Sequence, residues 1–86
     1  MYFVYILRSF KNGSYYKGIT DNPERRLLEH NSKKEHSTSR YVPWEMVWFC
    51  EKRNRSEAVI LENKLKNITS KKKLEDFIKK YTFVKE

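Results

Sequence analysis

Two short runs rich in β-branched and aromatic residues, Tyr2-Phe3-Val4-Tyr5-Ile6-Leu7 and Tyr15-Tyr16-Lys17-Gly18-Ile19-Thr20, stand on either side of Asn12-Gly13. This arrangement constrains the chain more than any other feature. Such runs favour strands, and Asn-Gly between them is a strong hairpin signal. The N-terminus is therefore committed to an antiparallel hairpin. Its register stays open. A tight two-residue turn at Asn12-Gly13 sets Tyr5 opposite Thr20, leaving Tyr5 and Tyr16 on one face about 14 Å apart along the strands. A longer loop sets Tyr5 directly opposite Tyr16. We expect the longer loop, with the two phenols side by side.

Asn22-Pro23-Glu24 opens a helix: Asn caps, Pro fits the first helical position, and Glu favours the first turn. That helix is predicted from Pro23 to Asn31, with Arg25 and Glu29 as a surface pair and Leu27 and Leu28 docked on the sheet. The polar connection Ser32 to Ser39, carrying Lys33, Lys34 and His36, precedes Arg40 and is long for a small domain, which marks it as functional or mobile. Pro43 ends it. Trp44 to Glu51 reads as a third strand, with Trp44, Met46, Trp48 and Cys50 on one face. Ser56 is expected to cap a second helix whose apolar residues Ala58, Leu61, Leu65 and Ile68 form one stripe. Ser70 caps a third helix running to Lys80, with Leu74, Phe77 and Ile78 inward. The order β-β-α-β-α-α predicts an α+β fold, a three-stranded antiparallel sheet flanked by three helices. With 86 residues, no repeat and no linker, one domain spanning 1–86 is expected.

Composition narrows the function. Charged residues are 35% of the chain, against about 25% in typical globular proteins. The net charge of +8 favours a polyanionic partner, nucleic acid before membrane. The one cysteine, Cys50, excludes an internal disulfide and suggests a reduced, cytoplasmic protein. Cys50, His30 and His36 fall short of a zinc-ligand set. The apolar run at the N-terminus is too short for a signal-peptide core or a membrane span. With only Gly13 and Gly18, no Gly-rich phosphate loop exists.

Four groups of residues carry possible chemistry, and each has a plainer reading. Tyr5 and Tyr16 share a face, or are simply two of six tyrosines in an aromatic sheet. Arg26 and His30, four apart, project from one side of their helix. Together they suit a phosphate, or they are a solvated face. Glu62 lies at the border of the apolar stripe of the second helix. There it suits a hard cation that keeps water ligands, or it is a boundary glutamate pairing with Lys66. Lys64, Lys66, Lys71, Lys72, Lys73, Lys79 and Lys80, interleaved with Phe77, Tyr81 and Phe83, suit a phosphate backbone with exposed bases, or a solvated lysine-rich helix.

Taken in order, these residues resemble the GIY-YIG endonuclease superfamily. Phe3-Val4-Tyr5 and Tyr16-Lys17-Gly18 resemble its paired signature. Asn22-Pro23-Glu24-Arg25-Arg26-Leu27-Leu28-Glu29-His30-Asn31 resembles the helix that carries its catalytic arginine. Ser56-Glu57-Ala58 leading to Glu62-Asn63-Lys64 resembles the helix of its metal-binding glutamate. Thr38-Ser39-Arg40-Tyr41 before Pro43 is similar to the small stand-alone members. The resemblance implies phosphodiester hydrolysis with a single divalent ion, Mg²⁺ or Mn²⁺, on Glu62. It also implies Arg26 neutralising phosphoryl charge, Tyr5 or Tyr16 orienting the attacking water, and His30 sharing the proton work or holding the phosphate. A phenol needs a nearby cation to serve as a base at neutral pH.

The departures are specific. Only the tyrosine of the first triplet is kept, and Lys17 occupies the centre of the second. Ile19 stands where some repair nucleases of this kind place a lysine, so that lysine's role falls to Lys17 or Arg40 or is absent. The expected function is a metal-dependent DNA endonuclease of repair or recombination, with RNA not excluded and a protein partner supplying targeting. Phosphate contacts are assigned to Lys17, Arg40, Lys64, Lys71, Lys72 and Lys73. The alternative is a basic nucleic-acid-binding or adaptor module that has lost cleavage or needs a partner for it.

Overall fold

Both N-terminal runs are strands, β1 over Tyr2–Ser9 and β2 over Tyr15–Thr20, paired antiparallel. The structure is a computed structural model that describes residues 1–32 and 37–81. The hairpin register lies between the two expected ones: Tyr5 opposes Gly18 and Leu7 opposes Tyr16. Side chains build this loop. Ser9 Oγ accepts from the backbone N–H groups of Lys11 (3.0 Å) and Asn12 (3.3 Å), and Asn12 Oδ1 accepts from Ser14 N (3.0 Å). Gly13, at φ +76, supplies the left-handed residue that closes the turn through its N–H on Ser9 O at 2.9 Å.

The third strand, β3 over Trp44–Lys52, pairs antiparallel with the other side of β1, giving the order β2-β1-β3. Its alternation departs from the sequence reading. Ile6 opposes Trp48 but Leu7 opposes Met46, so Val47 is an extra residue at a β-bulge. Trp44 and Met46 consequently pack with Tyr5 and Leu7 on one face. Val47 and Trp48 pack with Val4 and Ile6 on the other.

Helices cover the two faces unequally. The helices α2 (Arg55–Lys66) and α3 (Lys71–Lys80) bury Ala58, Leu65 and Leu74 against Val4 and Ile6, with Leu61, Ile68, Phe77 and Ile78 around them. Full burial of each valine, leucine or isoleucine among them contributes roughly 1.5–3 kcal/mol. On the opposite face lie α1 (Pro23–Asn31) and a short 3₁₀ turn, Ser39–Tyr41. Asn22 caps α1 by accepting from Arg25 N at 3.1 Å. The Asn31 amide pins the far end of α1 to β3, accepting from Trp44 N at 2.6 Å and donating to Trp44 O at 3.0 Å.

Two helix details correct the expectations. Leu27 packs on the sheet, but Leu28 is 71% exposed, because Leu27 and His30, one turn apart, form the buried stripe of α1. The second helix is capped not by Ser56 but by Asn54, whose Oδ1 accepts from Glu57 N at 3.0 Å. Ser70 caps α3 as expected, accepting from Lys73 N at 3.3 Å.

Candidate active site

Gly18 determines where the site forms. It lies inside β2 opposite Tyr5, and the Tyr5 ring crosses the space a side chain would fill. A Cβ at Gly18 would stand 2.6 Å from Tyr5 Oη and 2.8 Å from Cζ. A strand glycine of this kind marks close approach of another group. Tyr5 can therefore extend across β2, which is an edge strand, while remaining 1% exposed.

At the end of that ring the helix α1 supplies two partners. Tyr5 Oη and His30 Nε2 are 3.0 Å apart, and Arg26 Nε donates to Tyr5 Oη at 3.4 Å. His30 is fully buried, and its Nδ1 lies 2.9 Å from the hydroxyl of buried Thr38. Thr38 is itself held by its carbonyl, which accepts from the Trp44 indole N–H at 3.0 Å. Arg26 also donates to Glu29 Oε1 at 2.9 Å, and Arg25 Nε lies 3.4 Å from the other Glu29 oxygen, the surface pair that the spacing predicts.

Tyr16 joins from the diagonal position on β2. Its ring centroid lies 6.3 Å from that of Tyr5 and 5.0 Å from the His30 ring, edge-on to the latter. Diagonal same-face neighbours in a sheet come this close when the side chains are large. The Tyr16 hydroxyl makes no hydrogen bond to the described residues, and the side chain is half-buried. Tyr5, Tyr16, Arg26 and His30 are thus brought together.

Glu62 stands apart from that cluster. Its carboxylate, 16% exposed, pairs with Lys66 at 3.2 Å, and no hydrogen bond or ion pair joins it to the tyrosines or to Arg26. It rides on α2, across the sheet from α1. The two helices nevertheless meet around the end of β2. A cleft of about 280 Å³ is lined by Ile19 and Thr20 of β2, Arg25, Arg26 and Glu29 of α1, and Arg55 of α2. Glu62 is seven residues after Arg55, hence within about 20° of the same side of α2.

The expected phosphate contacts are scattered. Lys17 Nζ donates to the carbonyls of Leu65 (3.2 Å) and Ile68 (3.4 Å), satisfying the C-terminal end of α2. Burial, and secondarily the charge of Lys66, hold its ammonium below the usual lysine range. Arg40 is exposed on the 3₁₀ turn. Lys71, Lys72 and Lys73 are exposed at the start of α3, with Lys72 near Asp76 at 3.9 Å. Lys64 borders a cavity of about 830 Å³, which runs along β3 beside Phe77 and Tyr81, away from Tyr5 and Tyr16. Phe77 packs on Trp48 and Tyr81 rather than standing free for bases. Lys33, Lys34, His36 and Phe83 lie outside the described residues. Thr38 as partner of His30 was not singled out for chemistry from the sequence, since nothing in its spacing points to α1. Gly18 carried a readable signal, a lone glycine inside a strand.

A metal ion finds no ready-made cage: among the described residues no three His, Cys, Asp or Glu side chains cluster. A single half-buried carboxylate such as Glu62 fits an ion that keeps waters and takes further oxygens from a phosphate, as Mg²⁺ does. No helix among the described residues is long and apolar enough to cross a membrane.

The class of the fold follows from likeness to known proteins. The GIY-YIG catalytic domain matches residues 1–75, and the chain belongs to that family. It is similar to a UPF0213 protein of Enterococcus faecalis, 38% identical over 74 residues and covering 83% of each chain. It also matches the structure-specific endonuclease subunit SLX1 of Debaryomyces hansenii at 43% identity over 53 residues. That match covers 54% of this chain but only 15% of the fungal subunit. In structure it resembles a UPF0213 protein of Bacillus halodurans solved by solution NMR, with a TM-score of 0.60, 31% identity, and coverage of 94% of this chain and 86% of the other.

Proposed function

We propose that this chain is a metal-dependent endonuclease that hydrolyses phosphodiester bonds in DNA. The observation that carries the reading is the Tyr5 phenol crossing Gly18 to meet His30 at 3.0 Å and Arg26 at 3.4 Å, in a chain of the GIY-YIG family. A buried tyrosine and histidine joined at one oxygen to a partly exposed arginine stabilise a small domain less simply than apolar packing would. Such polar clusters are costly unless every member is satisfied. Their retention fits a chemical role.

In this reading Arg26 directs its guanidinium at the phosphate and neutralises charge that develops on the phosphoryl oxygens. Tyr5, which is almost wholly buried, holds Arg26 and His30 in place. Tyr16, with a half-open hydroxyl, orients the attacking water and takes its proton. The water oxygen bonds to phosphorus, the ester P–O bond breaks, and the leaving oxygen gains a proton. Glu62 would hold one Mg²⁺ or Mn²⁺ ion, which when bound polarises the phosphate and steadies the leaving oxygen.

Likeness to the fungal structure-specific endonuclease subunits favours branched or nicked DNA as substrate and a targeting partner, within repair or recombination. The cytoplasmic assignment likewise belongs to this proposal. Nicking of supercoiled and branched DNA with Mg²⁺ tests it, with Glu62→Ala as control. Cleavage by the wild type that disappears in Glu62→Ala supports the reading. Binding without cleavage by either protein instead favours the binding or adaptor module.

A further inference from the structure

We propose that Arg55, the first residue of α2, is a phosphate-binding residue of this site, gripping a nucleic-acid backbone phosphate that flanks the one held by Arg26. The inference rests on the nuclease reading. Arg55 reaches the cleft from α2 while Arg25 and Arg26 reach it from α1, so three guanidiniums line one concavity of about 280 Å³. The two carboxylates there are already engaged. Asp21 pairs with Arg25 at 2.6 Å, and Glu29 pairs with both Arg25 (3.4 Å) and Arg26 (2.9 Å). Arg55 has no hydrogen bond or ion pair with any described residue. Its neighbour Arg53, two residues earlier, is paired with Glu57 at 2.9 Å.

Two features oppose a cation at Arg55. A cation at the first helical position faces the positive end of the helix dipole. It also faces two further arginines across the cleft. An anion entering the cleft would be attracted by each of these positive groups at once. Local rules broken without an intramolecular compensation mark functional positions. A planar guanidinium fork fits the paired oxygens of a phosphodiester.

The position of Arg55 on α2 fits the same conclusion. It lies on the same side of α2 as Glu62, about 10.5 Å away along the helix axis. A backbone with one phosphate held at Arg26 in this cleft therefore has Arg55 on the facing wall for a neighbouring one. The strand would run along the outer edge of β2, which pairs with no further strand among the described residues.

The test measures binding of a fluorescent branched duplex across a salt series, together with Mg²⁺-dependent cleavage at saturating DNA. Arg55→Ala should weaken binding about tenfold at low salt and reduce the log–log salt slope by about one unit. Its rate at saturation should match wild type. Arg55→Lys should recover the slope but not the full affinity, and Arg53→Ala should change neither. Equal effects of Arg55→Ala and Arg53→Ala, no effect of Arg55→Ala, or a slower rate at saturation would each overturn the inference while leaving the nuclease reading intact. A wild-type protein that neither binds nor cleaves nucleic acid would overturn both.

Discussion

Replacing Gly18 by alanine adds one methyl group to a strand, a change that ordinarily helps, because glycine in a strand interior costs roughly 0.5–1 kcal/mol relative to alanine. Here the sign should reverse. The new Cβ would lie 2.6 Å from Tyr5 Oη, 2.8 Å from Cζ and 3.0 Å from Cε2, where ordinary contact begins at 3.4 Å. The phenol must move by about 0.8 Å to restore contact distance. It is not a free side-chain end, since it is 1% exposed and tied to His30 at 3.0 Å. Overpacking of this kind costs about 1–3 kcal/mol, and stretching the buried hydrogen bond adds about 1 kcal/mol. Offset by the strand gain, Gly18→Ala should lose about 2 kcal/mol, which for a domain of this size lowers Tm by about 8–16 °C. Urea denaturation of Gly18→Ala, Tyr5→Phe and the double variant checks the cause. Removing the hydroxyl relieves the tightest contact, so Tyr5→Phe should cost less in the alanine background than in the wild type. A neutral or stabilised Gly18→Ala, or strict additivity in the cycle, would refute the close-approach argument.

Thr38→Val keeps shape but removes the partner of His30 Nδ1 at 2.9 Å. Losing that buried hydrogen bond should cost about 1–3 kcal/mol, recovered in Thr38→Ser and read by thermal melting. Asn54→Ala should cost about 1 kcal/mol as the true cap of α2, whereas Ser56→Ala should be nearly silent in the same melts. Burial first, then the Glu75 carboxylate 3.3 Å away, raises the Tyr15 phenol above its usual value of 10.0. A raised folded-state value stabilises below the unfolded value and is lost as pH climbs through the folded one. Unfolding free energy should therefore fall above pH 10 in the wild type, and less steeply in Tyr15→Phe, as measured by urea titration at successive pH values.

How much the sequence discloses depends on whether the deciding interaction is local. The bounds of α1 were legible because Asn22, Pro23 and Glu24 act within one turn, and the observed Pro23–Asn31 matches. The β-bulge at Val47 was not legible, since it arises from how β3 meets β1 and leaves no mark on β3 alone. That one inserted residue moved Trp48 to the opposite face from Met46. The hairpin register failed for a related reason: Asn12-Gly13 is a real turn signal, but Ser9 and Asn12 use their side chains to build a longer loop around it. At the site, the grouping of Arg26 and His30 followed from helical spacing, and the shared face of the two tyrosines from strand parity. The Thr38–His30 contact joins α1 to a turn beyond the polar connection, a distance no periodicity spans.

The charge of the molecule gains meaning from how it is arranged. Several cations have surface partners: Arg8 with Glu45, Arg25 with Asp21, Arg53 with Glu57, Lys66 with Glu62 and Lys72 with Asp76. Exposed pairs of this sort contribute only about 0–1 kcal/mol each and weaken with salt. The excess of +8 that remains repels itself and gives the folded state nothing. Buried polar atoms, by contrast, are all satisfied among the described residues, so the fold does not tolerate unpaired groups where they would be costly. That surplus, with Arg55 unpaired at its cleft among the described residues, is what the proposed phosphate contacts would use. The edge strand β2 carries Gly18 beneath the Arg26–Tyr5–His30 cluster and ends at that cleft, so under the proposal above a nucleic-acid backbone laid along that edge would meet both.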